Sequence, residues 1–397
     1  MMRADGISRK PGAGKMAKSA KTFTYWVDIV GACNLRCPSC PRGNFMPGDV
    51  IKESPPSGLM AFDLFKDIVR KIKRDGPSLN PQIHLYNWGE PLVHPEIGKF
   101  IRHVLDEGIY CGVSSNLNYD GTLRDVIQAG PDFFRVSLSG FYQENYGRTH
   151  TRGDIERVKR NMRKLRDYMT EFDKNIYVEV NYHIYRHNAG RDLEDMIAFC
   201  NDLRFNIGPV WAFFQPLEKN FDLIDGKLSE ADRKLLDLYA IRPEEAMKLS
   251  MPYKDQDCPV RKWATVINYN GTVPLCCNTF DQNYIVADSF LDIDHEALQA
   301  RKYAHSACKT CMDNAIHVYL AYGAGPVMDE VGNKVLRDIG NPLEVYQYAT
   351  PHVVSREKGP LPILARTERE LGQRKKIRGM RAFWWRIREM SRRAAGF

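Results

Sequence analysis

The sequence predicts an α/β fold, an open barrel built from six strand-and-helix units. Short apolar runs alternate with amphipathic segments from residue 22 to about residue 215. This alternation is typical of right-handed βαβ units and a parallel sheet. Since six units are fewer than the eight that close a TIM barrel, we expect the barrel to stay open on one side.

The predicted strands are short runs rich in apolar residues, and the predicted helices carry apolar residues at a spacing of three to four. The strands cover residues 23–30, 83–86, 110–114, 133–138, 176–184 and 209–214. The helices cover about residues 59–72, 95–107, 121–128, 154–169 and 193–203. Because folds of this kind bind ligands at the carboxyl ends of the strands, we expect the functional site there.

Three cysteines, Cys33, Cys37 and Cys40, directly follow the first predicted strand. Cysteines at the spacing Cys-x3-Cys-x2-Cys can bind three irons of a [4Fe-4S] cluster and leave the fourth iron without a protein ligand. A zinc site or a group of disulfides is the alternative. Zinc usually takes four ligands, often from Cys-x2-4-Cys pairs, and disulfides need an oxidising compartment. The spacing therefore favours the cluster.

Composition and charge restrict the class of protein. The chain has 397 residues, 43% of them hydrophobic, which is enough for one full domain and a smaller second one. No apolar run is long enough for a membrane-spanning helix, and ten cysteines, mostly in tight groups, favour a reducing cytoplasm. Residues 366–397 hold eleven Lys or Arg against three Asp or Glu, which accounts for the whole net charge of +8. We therefore expect no nucleic-acid binding by the body of the protein.

The loop from Cys33 to Cys40 resembles the cluster loop of the radical S-adenosylmethionine (radical SAM) enzymes. The resemblance implies that Cys33, Cys37 and Cys40 bind a [4Fe-4S] cluster and that S-adenosylmethionine binds its open iron. It also implies that an electron, from a donor such as flavodoxin or ferredoxin, cleaves this cofactor to a 5′-deoxyadenosyl radical. Ser39 occupies a position that is often aromatic in the family.

Polar residues follow the second, third and fourth predicted strands, and the same resemblance implies roles for them. The segment Trp88-Gly89-Glu90-Pro91 is similar to the family's Gly-Gly-Glu-Pro element, whose carboxylate binds the methionine ammonium group. Ser115 and Asn116 resemble the element that binds the ribose hydroxyls. Ser137 lies on the same rim, and Arg152, or less favourably Arg148, could pair with the methionine carboxylate. Each residue could instead be an ordinary turn, cap or surface residue.

A second group of cysteines consists of Cys258, Cys276, Cys308 and Cys311. Two strand-like runs, residues 263–269 and 272–277, flank Asn270-Gly271, which predicts a β-hairpin. Because side chains alternate along a strand, Cys276 and Cys277 should point in opposite directions, so we expect Cys277 not to be a ligand. Taken alone, the four thiols could form a closed zinc site.

The order of these cysteines resembles the twitch extension, a shortened SPASM domain, and implies one auxiliary [4Fe-4S] cluster. The predicted division of the chain is a disordered leader (1–21), the barrel (22–215), a helical spacer (216–257), the cluster extension (258–320), an irregular segment (321–365) and a basic helical tail (366–397). The tail could dock on the barrel, or it could contact an anionic membrane or a partner peripherally.

The predicted function is that of an oxidoreductase that abstracts hydrogen from a small polar substrate, sugar-like or aminocyclitol-like, assisted by the auxiliary cluster. The short leader leaves no room for a folded peptide-recognition domain, which favours a small substrate. A radical SAM maturase that modifies a ribosomal peptide is the alternative. A non-enzymatic iron–sulfur or zinc protein that binds nucleic acid through its tail is less favoured, because Glu90 and the polar rim fit a cofactor.

Overall fold

The computed structural model describes residues 22–44, 57–75, 80–321 and 325–343. Within these ranges, seven strands form one parallel sheet. They are β1 (Phe23–Val27), β2 (Pro81–His84), β3 (Tyr110–Ser115), β4 (Phe133–Leu138), β5 (Tyr177–Ile184), β6 (Asn206–Trp211) and β7 (Ala264–Ile267). Their spatial order is β6-β5-β4-β3-β2-β1-β7, so the first six strands are neighbours in chain order. The predicted α/β fold is confirmed.

Helices connect these strands and pack on the sheet through apolar side chains. They are α1 (Pro41–Asn44), α2 (Phe62–Asp75), α3 (Ile97–Asp106), α4 (Leu123–Ala129), α5 (Gln143–Thr149), α6 (Ile155–Glu171) and α7 (Arg191–Asp202). In α2 the buried residues Phe65, Ile68 and Ile72 recur at helical spacing and join the main hydrophobic core. The carboxylate of Asp154 accepts hydrogen bonds from the first turn of α6 and so defines where this long helix begins.

The seventh strand, β7, lies outside the predicted barrel segment. It pairs in parallel with β1, with Thr24 opposite Ala264 and Val27 opposite Ile267. All four residues of β7 are buried. Pairing at this position satisfies the main-chain groups along the edge of β1, which would otherwise be open. The cluster extension therefore contributes a strand to the barrel sheet.

The predicted turn at Asn270-Gly271 forms, but the two runs beside it do not pair as one hairpin. Gly271 has a φ of 87°, and the Asn268 N–H donates to the Thr272 carbonyl at 2.9 Å. Beyond the turn, β8 (Val273–Pro274) pairs antiparallel with β9 (Ile285–Ala287), while the run before the turn is β7. The prediction of a simple hairpin is wrong because each run has a longer-range partner.

The remaining helices lie between β6 and residue 343. They are α8 (Leu217–Ile224), α9 (Glu230–Leu236), α10 (Pro243–Ser250), α11 (Pro259–Trp263), α12 (His295–Ala304), α13 (Ser306–Asp313), α14 (Ile316–Leu320) and α15 (Gly325–Asp338), with 3-10 turns at Pro91–Val93, Met251–Tyr253 and Gln282–Tyr284.

Helix α15 corrects the prediction that residues 321–365 are irregular. Its side chains Met328 and Leu336 are buried, and Asp329 accepts a hydrogen bond of 2.7 Å from the Trp211 indole. A Cβ at Gly332 would lie 2.5 Å from the Trp211 ring, so the glycine permits this close packing. Packing against the barrel thus stabilises a helix that its own sequence predicts poorly.

The leader, residues 1–21, and the basic tail, residues 366–397, lie outside the described residues. The expectations for both segments therefore stay predictions. Among the helices of the described ranges, none combines the length and the apolar character that crossing a bilayer requires.

Candidate active site and second cysteine centre

A cavity of about 390 Å³ opens at the carboxyl ends of the barrel strands. Its walls come from the cysteine loop, from the loops after β2 and β3, from β4 and β5, and from the extension. Nine of the predicted site residues line it: Cys33, Cys37, Cys40, Trp88, Gly89, Glu90, Ser115, Asn116 and Ser137. The fold therefore brings the first cysteine group and most of the predicted cofactor contacts to one place.

The thiols of the cysteine loop are partly buried and lie close to one another. The Leu35 N–H donates to Cys33 Sγ at 3.5 Å, and Asn116 Nδ2 donates to the same sulfur at 3.7 Å. Burial, followed by the charge of Glu90, raises the pKa of Cys33 to about 12. Burial and the neighbouring thiols also raise the pKa of Cys37. Such thiols ionise when a metal binds, so this donor set fits the cluster that the loop implies.

The loop after β2 is held against the cysteine loop by main-chain contacts. Asp28, just after β1, accepts hydrogen bonds from the Trp88 N–H at 3.0 Å and the Gly89 N–H at 3.2 Å. A Cβ at Gly89 would lie 1.7 Å from the Val30 carbonyl oxygen, so only glycine fits there. The Glu90 N–H donates to the Ala32 carbonyl at 2.9 Å. The position of Glu90 beside the cysteines therefore follows from backbone geometry.

The carboxylate of Glu90 is buried at the cavity wall. It accepts hydrogen bonds from the Leu92 N–H at 3.1 Å and the Asn116 N–H at 2.8 Å. Burial raises its pKa to about 7, although these N–H groups act in the opposite direction. A cation bound next to it would favour the ionised form. Glu90 is thus suited to an ammonium ligand.

Trp88 connects the cavity to the extension. Its indole N–H donates to the Thr279 carbonyl at 3.0 Å, and its ring packs edge-on against Phe280 at a centroid distance of 5.8 Å. The residue that replaces the first glycine of the family element therefore joins the barrel to a loop 191 residues further along the chain.

Ser115 and Asn116 line the cavity and also stabilise the turn after β3. The Leu117 N–H donates to Ser115 Oγ at 2.9 Å, and the Asn118 N–H donates to Asn116 Oδ1 at 2.8 Å. Asn116 Nδ2 donates to Asn34 Oδ1 at 2.9 Å, which links this turn to the cysteine loop. Ser115 and Asn116 can therefore stabilise the turn and still contact a cofactor in the cavity.

Neither arginine that the sequence suggested for the methionine carboxylate lines the cavity. Arg148 and Arg152 are both exposed, and Arg152 has a φ of 71°. The arginine on the cavity wall is Arg135 of β4, with Nη1 at 3.4 Å from the Tyr86 hydroxyl and Nη2 at 3.7 Å from Glu179.

Sequence reasoning missed most of the inner wall of the barrel. Arg135, Asn181 and His183 line the cavity, and Asn181 Nδ2 lies 3.1 Å from His183 Nε2. Tyr185 also lines it and is hydrogen-bonded to Ser39. The available signal was polar residues at every second position of β4 and β5, a spacing that places them on one face of a strand.

The second cysteine group surrounds a separate cavity, which is lined by Cys258, Cys276, Cys308 and Cys311. Burial is the largest cause of a raised pKa at all four thiols. In the described ranges, no three Cys, His, Asp or Glu side chains form a group that could hold a single metal ion. A cluster differs from a single ion, because its four irons are bound at separate corners.

Local structure explains how these thiols are presented. Cys258 is the residue before α11, and the main-chain N–H groups of Val260 and Arg261 point to its sulfur. Cys308 and Cys311 lie on α13, where His305 caps the helix by accepting a hydrogen bond from the Ala307 N–H at 3.2 Å.

Cys276 and Cys277 contribute to different cavities. Cys276 lines the second cavity, whereas Cys277 lines the first. Both residues lie in a turn after β8, so the strand alternation used to separate them is the wrong reason. Asn278 lines both cavities, which places residues 276–278 between them.

Residues 27–200 match the family model of the Radical SAM superfamily. A curated relative, the tungsten-containing aldehyde ferredoxin oxidoreductase cofactor-modifying protein of Pyrococcus furiosus, is 30% identical over 115 residues. That segment covers 28% of this chain and 30% of the relative, so the alignment spans less than a third of the relative's length.

Three solved structures are similar at low identity. BtrN, in complex with AdoMet and 2-DOIA, is 13% identical with a TM-score of 0.41, over 74% of this chain and 88% of that chain. SuiB of Streptococcus suis, bound to the precursor peptide SuiA, is 10% identical with a TM-score of 0.48, over 74% and 67%. The enzyme anSMEcpe with bound AdoMet is 12% identical with a TM-score of 0.45, over 72% and 82%. The family model covers the cysteine loop and strands β2 to β5, so the part of the chain that builds most of the cavity resembles a radical SAM domain.

Proposed function

We propose that the protein oxidises a small polar substrate, sugar-like or aminocyclitol-like, by radical SAM chemistry, and that the second cysteine group holds an auxiliary [4Fe-4S] cluster that assists the oxidation. The observation that carries the proposal is the single cavity that the cysteine loop shares with Glu90 and with polar side chains of β4 and β5. The first cluster and S-adenosylmethionine would supply a 5′-deoxyadenosyl radical there.

The residues of the cavity have separate roles in this proposal. Cys33, Cys37 and Cys40 would hold the first cluster, and Glu90 would bind the ammonium group of S-adenosylmethionine. Ser115, Asn116 and Ser137 would hydrogen-bond its polar groups. The exposed position of Arg152 gives no support for a carboxylate contact.

The inner wall favours a substrate with several hydrogen-bonding groups. Arg135 presents a cationic donor, Asn181 an amide, and His183 a ring nitrogen that can accept or donate. A buried site built to hydrogen-bond hydroxyl groups rejects analogues that lack them, since its own polar groups would be left unpaired. This wall therefore supports a polyol-like or aminocyclitol-like molecule.

The arrangement of the two cavities supports an oxidation. Cys277 and Asn278 line the first cavity, and Cys276 and Asn278 line the second, so one turn separates them. An auxiliary cluster at Cys258, Cys276, Cys308 and Cys311 would lie one turn away from the bound substrate. It could then take up an electron from a substrate radical that loses a proton. Reduced thiols for both clusters fit a cytoplasmic protein with flavodoxin or ferredoxin as electron donor.

The experiment is anaerobic purification, iron and sulfide determination, and product analysis after addition of S-adenosylmethionine and a chemical reductant. We expect 5′-deoxyadenosine to form faster with a member of a panel of polyols and aminocyclitols, together with a ketone product. The matched control is the Cys33→Ala variant, which should form none. If only peptides stimulate the reaction, the alternative peptide maturase is correct. If S-adenosylmethionine is not cleaved at all, the proposal is wrong.

A further inference from the structure

Lys302 of α12 is a buried lysine beside the second cysteine group. Its side chain is 1% exposed. The ammonium group donates to the Arg261 carbonyl at 2.8 Å and to the Ala264 carbonyl at 2.6 Å, and it lies 3.5 Å from Gln299 Oε1. Among the described residues, its hydrogen-bond partners are thus neutral oxygens.

A buried ammonium group without a carboxylate partner is costly, because charge is poorly solvated in a protein interior. The two carbonyls offset part of this cost. The titratable groups near Lys302 include His295 on the same helix and the thiols of Cys258, Cys276, Cys277 and Cys308. Burial lowers the pKa of Lys302, while these thiols act in the opposite direction. The three oxygens around Nζ match the three N–H donors of an ammonium group, and this geometry indicates the charged form.

The chain also connects Lys302 to the predicted ligands. Both carbonyls that it binds belong to the end of α11 and its following residue, and α11 begins directly after Cys258. Helix α12, which carries Lys302, is followed at once by α13 with Cys308 and Cys311. One charged group therefore joins the two segments that supply three of the four thiols.

Arg261 is a second cation near these thiols, and its charge is compensated by a carboxylate. It lines the cavity, but its guanidinium pairs with Asp257 at 2.6 Å and lies over the Tyr303 ring at 3.9 Å. The nearby carboxylate reduces its net effect on the thiols. Lys302 is therefore the stronger source of uncompensated positive charge at the second cysteine group.

We propose that Lys302 raises the reduction potential of the auxiliary cluster by stabilising its reduced form with a fixed positive charge. The inference rests on the proposed function, because it requires a cluster at Cys258, Cys276, Cys308 and Cys311. A cubane with four thiolate ligands is anionic and gains a further negative charge when it accepts an electron. Net charge and nearby charges are known determinants of cluster potentials. Lys302 thus makes this cluster a better electron acceptor.

The test is a redox titration followed by electron paramagnetic resonance, on the full chain with Cys33, Cys37 and Cys40 all changed to Ala, so that only the second cluster is observed. In this background, Lys302→Met should lower the potential so that the reduction equilibrium changes at least tenfold, a shift of about 59 mV for one electron. Iron and sulfide contents should stay the same. Lys302→Arg, which keeps the charge, should restore most of the potential.

The matched control is Lys159→Met, which removes another buried lysine, one that pairs with Glu156 on the barrel helix α6. It should leave the potential unchanged. Lys302→Gln is a second neutral variant that can still donate to a carbonyl, in case Lys302→Met does not fold. An unchanged potential in a neutral variant that keeps its iron overturns the inference, and so does loss of iron in both the Gln and Arg variants. A wild-type protein with zinc or without metal at this site instead contradicts the auxiliary cluster itself.

Discussion

The two cysteine groups lie in different electrostatic surroundings. The first group shares an open cavity with the carboxylate of Glu90, and Arg42, a cation near Cys33 and Cys40, is compensated by the carboxylate of Asp28. The second group lies near the buried Lys302 and near Arg261, which is paired with Asp257. A carboxylate next to an open iron suits a cationic ligand, and S-adenosylmethionine carries both a sulfonium and an ammonium group. Cations beside four thiols suit a closed, anionic cluster. In the proposed function, cysteine would therefore bind an open cluster at the first site and a closed cluster at the second.

Two buried carboxylates sharpen this comparison. Burial raises the pKa of both Glu90 and Glu218 to about 7. Glu90 lines the first cavity, whereas Glu218 accepts hydrogen bonds from the main-chain N–H groups of Phe280 at 2.7 Å and Asp281 at 2.9 Å, in the extension. We infer that Glu90 binds a ligand and that Glu218 stabilises a loop. Variants of Glu90 should therefore lose cofactor binding, and variants of Glu218 should change in stability.

The largest expected effect is at the cysteine loop. Cys33→Ala, Cys37→Ala or Cys40→Ala should abolish reductive cleavage of S-adenosylmethionine, because each removes a ligand of the cluster that would supply the electron. Chromatographic detection of 5′-deoxyadenosine measures the effect, and circular dichroism checks that the fold is retained. Normal cleavage by any of the three variants would disprove the assignment of the first site.

Replacing the second group should halve the iron content and leave the first site in place. Changing Cys258, Cys276, Cys308 and Cys311 together to Ser should lower iron from about eight to about four per chain, the content of two cubanes and of one. Elemental analysis of anaerobically purified protein gives the number. Cys277→Ser is the matched control and should keep all the iron, because Cys277 lines the other cavity. One zinc per wild-type chain would instead indicate that the second cysteine group binds zinc and not a cluster.

Glu90→Ala should weaken binding of S-adenosylmethionine about tenfold or more without loss of iron. The reason is that a hydrogen bond to a charged group contributes about 1.5–3 kcal/mol. Equilibrium binding to the reconstituted protein, with iron determination on the same sample, measures both quantities. Glu218→Gln, which alters the other buried carboxylate, should bind the cofactor like the wild type. Loss of the cluster in Glu90→Ala would mean that Glu90 supports the metal site instead.

The smallest effect on cofactor chemistry is expected at Glu218, where we predict a pH-dependent change in stability alone. Its pKa is about 7 in the folded protein and near 4.5 in the unfolded chain. Between these values the folded state keeps a proton that the unfolded state has released, so stability falls as the pH rises through this window. Relative to Glu218→Gln, the wild type should lose up to about 3 kcal/mol between pH 5 and pH 8, at 1.36 kcal/mol for each pKa unit.

Urea denaturation of the metal-free protein at several pH values tests this prediction. Glu90 is present in both proteins, so its own titration cancels in the difference between them. A difference in free energy of unfolding that does not change with pH would show that Glu218 is ionised in the folded state at all these values.

Local sequence patterns were sufficient for the barrel and for the cysteines. The first six strands and their helices follow from apolar spacing, which the chain expresses within each segment. Gly89 and Glu90 could be placed at the cavity for a similar reason, since they lie in the loop after a strand whose carboxyl end faces it.

Only the tertiary structure decided which distant segments meet. It paired β7 with β1, separated β7 from β8, and brought Arg135 rather than Arg152 to the cavity wall. It also joined Trp88 to Thr279 and placed Lys302 beside the second cysteine group. The sequence by itself determined most elements of the barrel and the spacing of the cysteines, because these depend on neighbours a few positions away. The charge around each thiol depends instead on side chains from remote segments, and their proximity is a property of the folded chain alone.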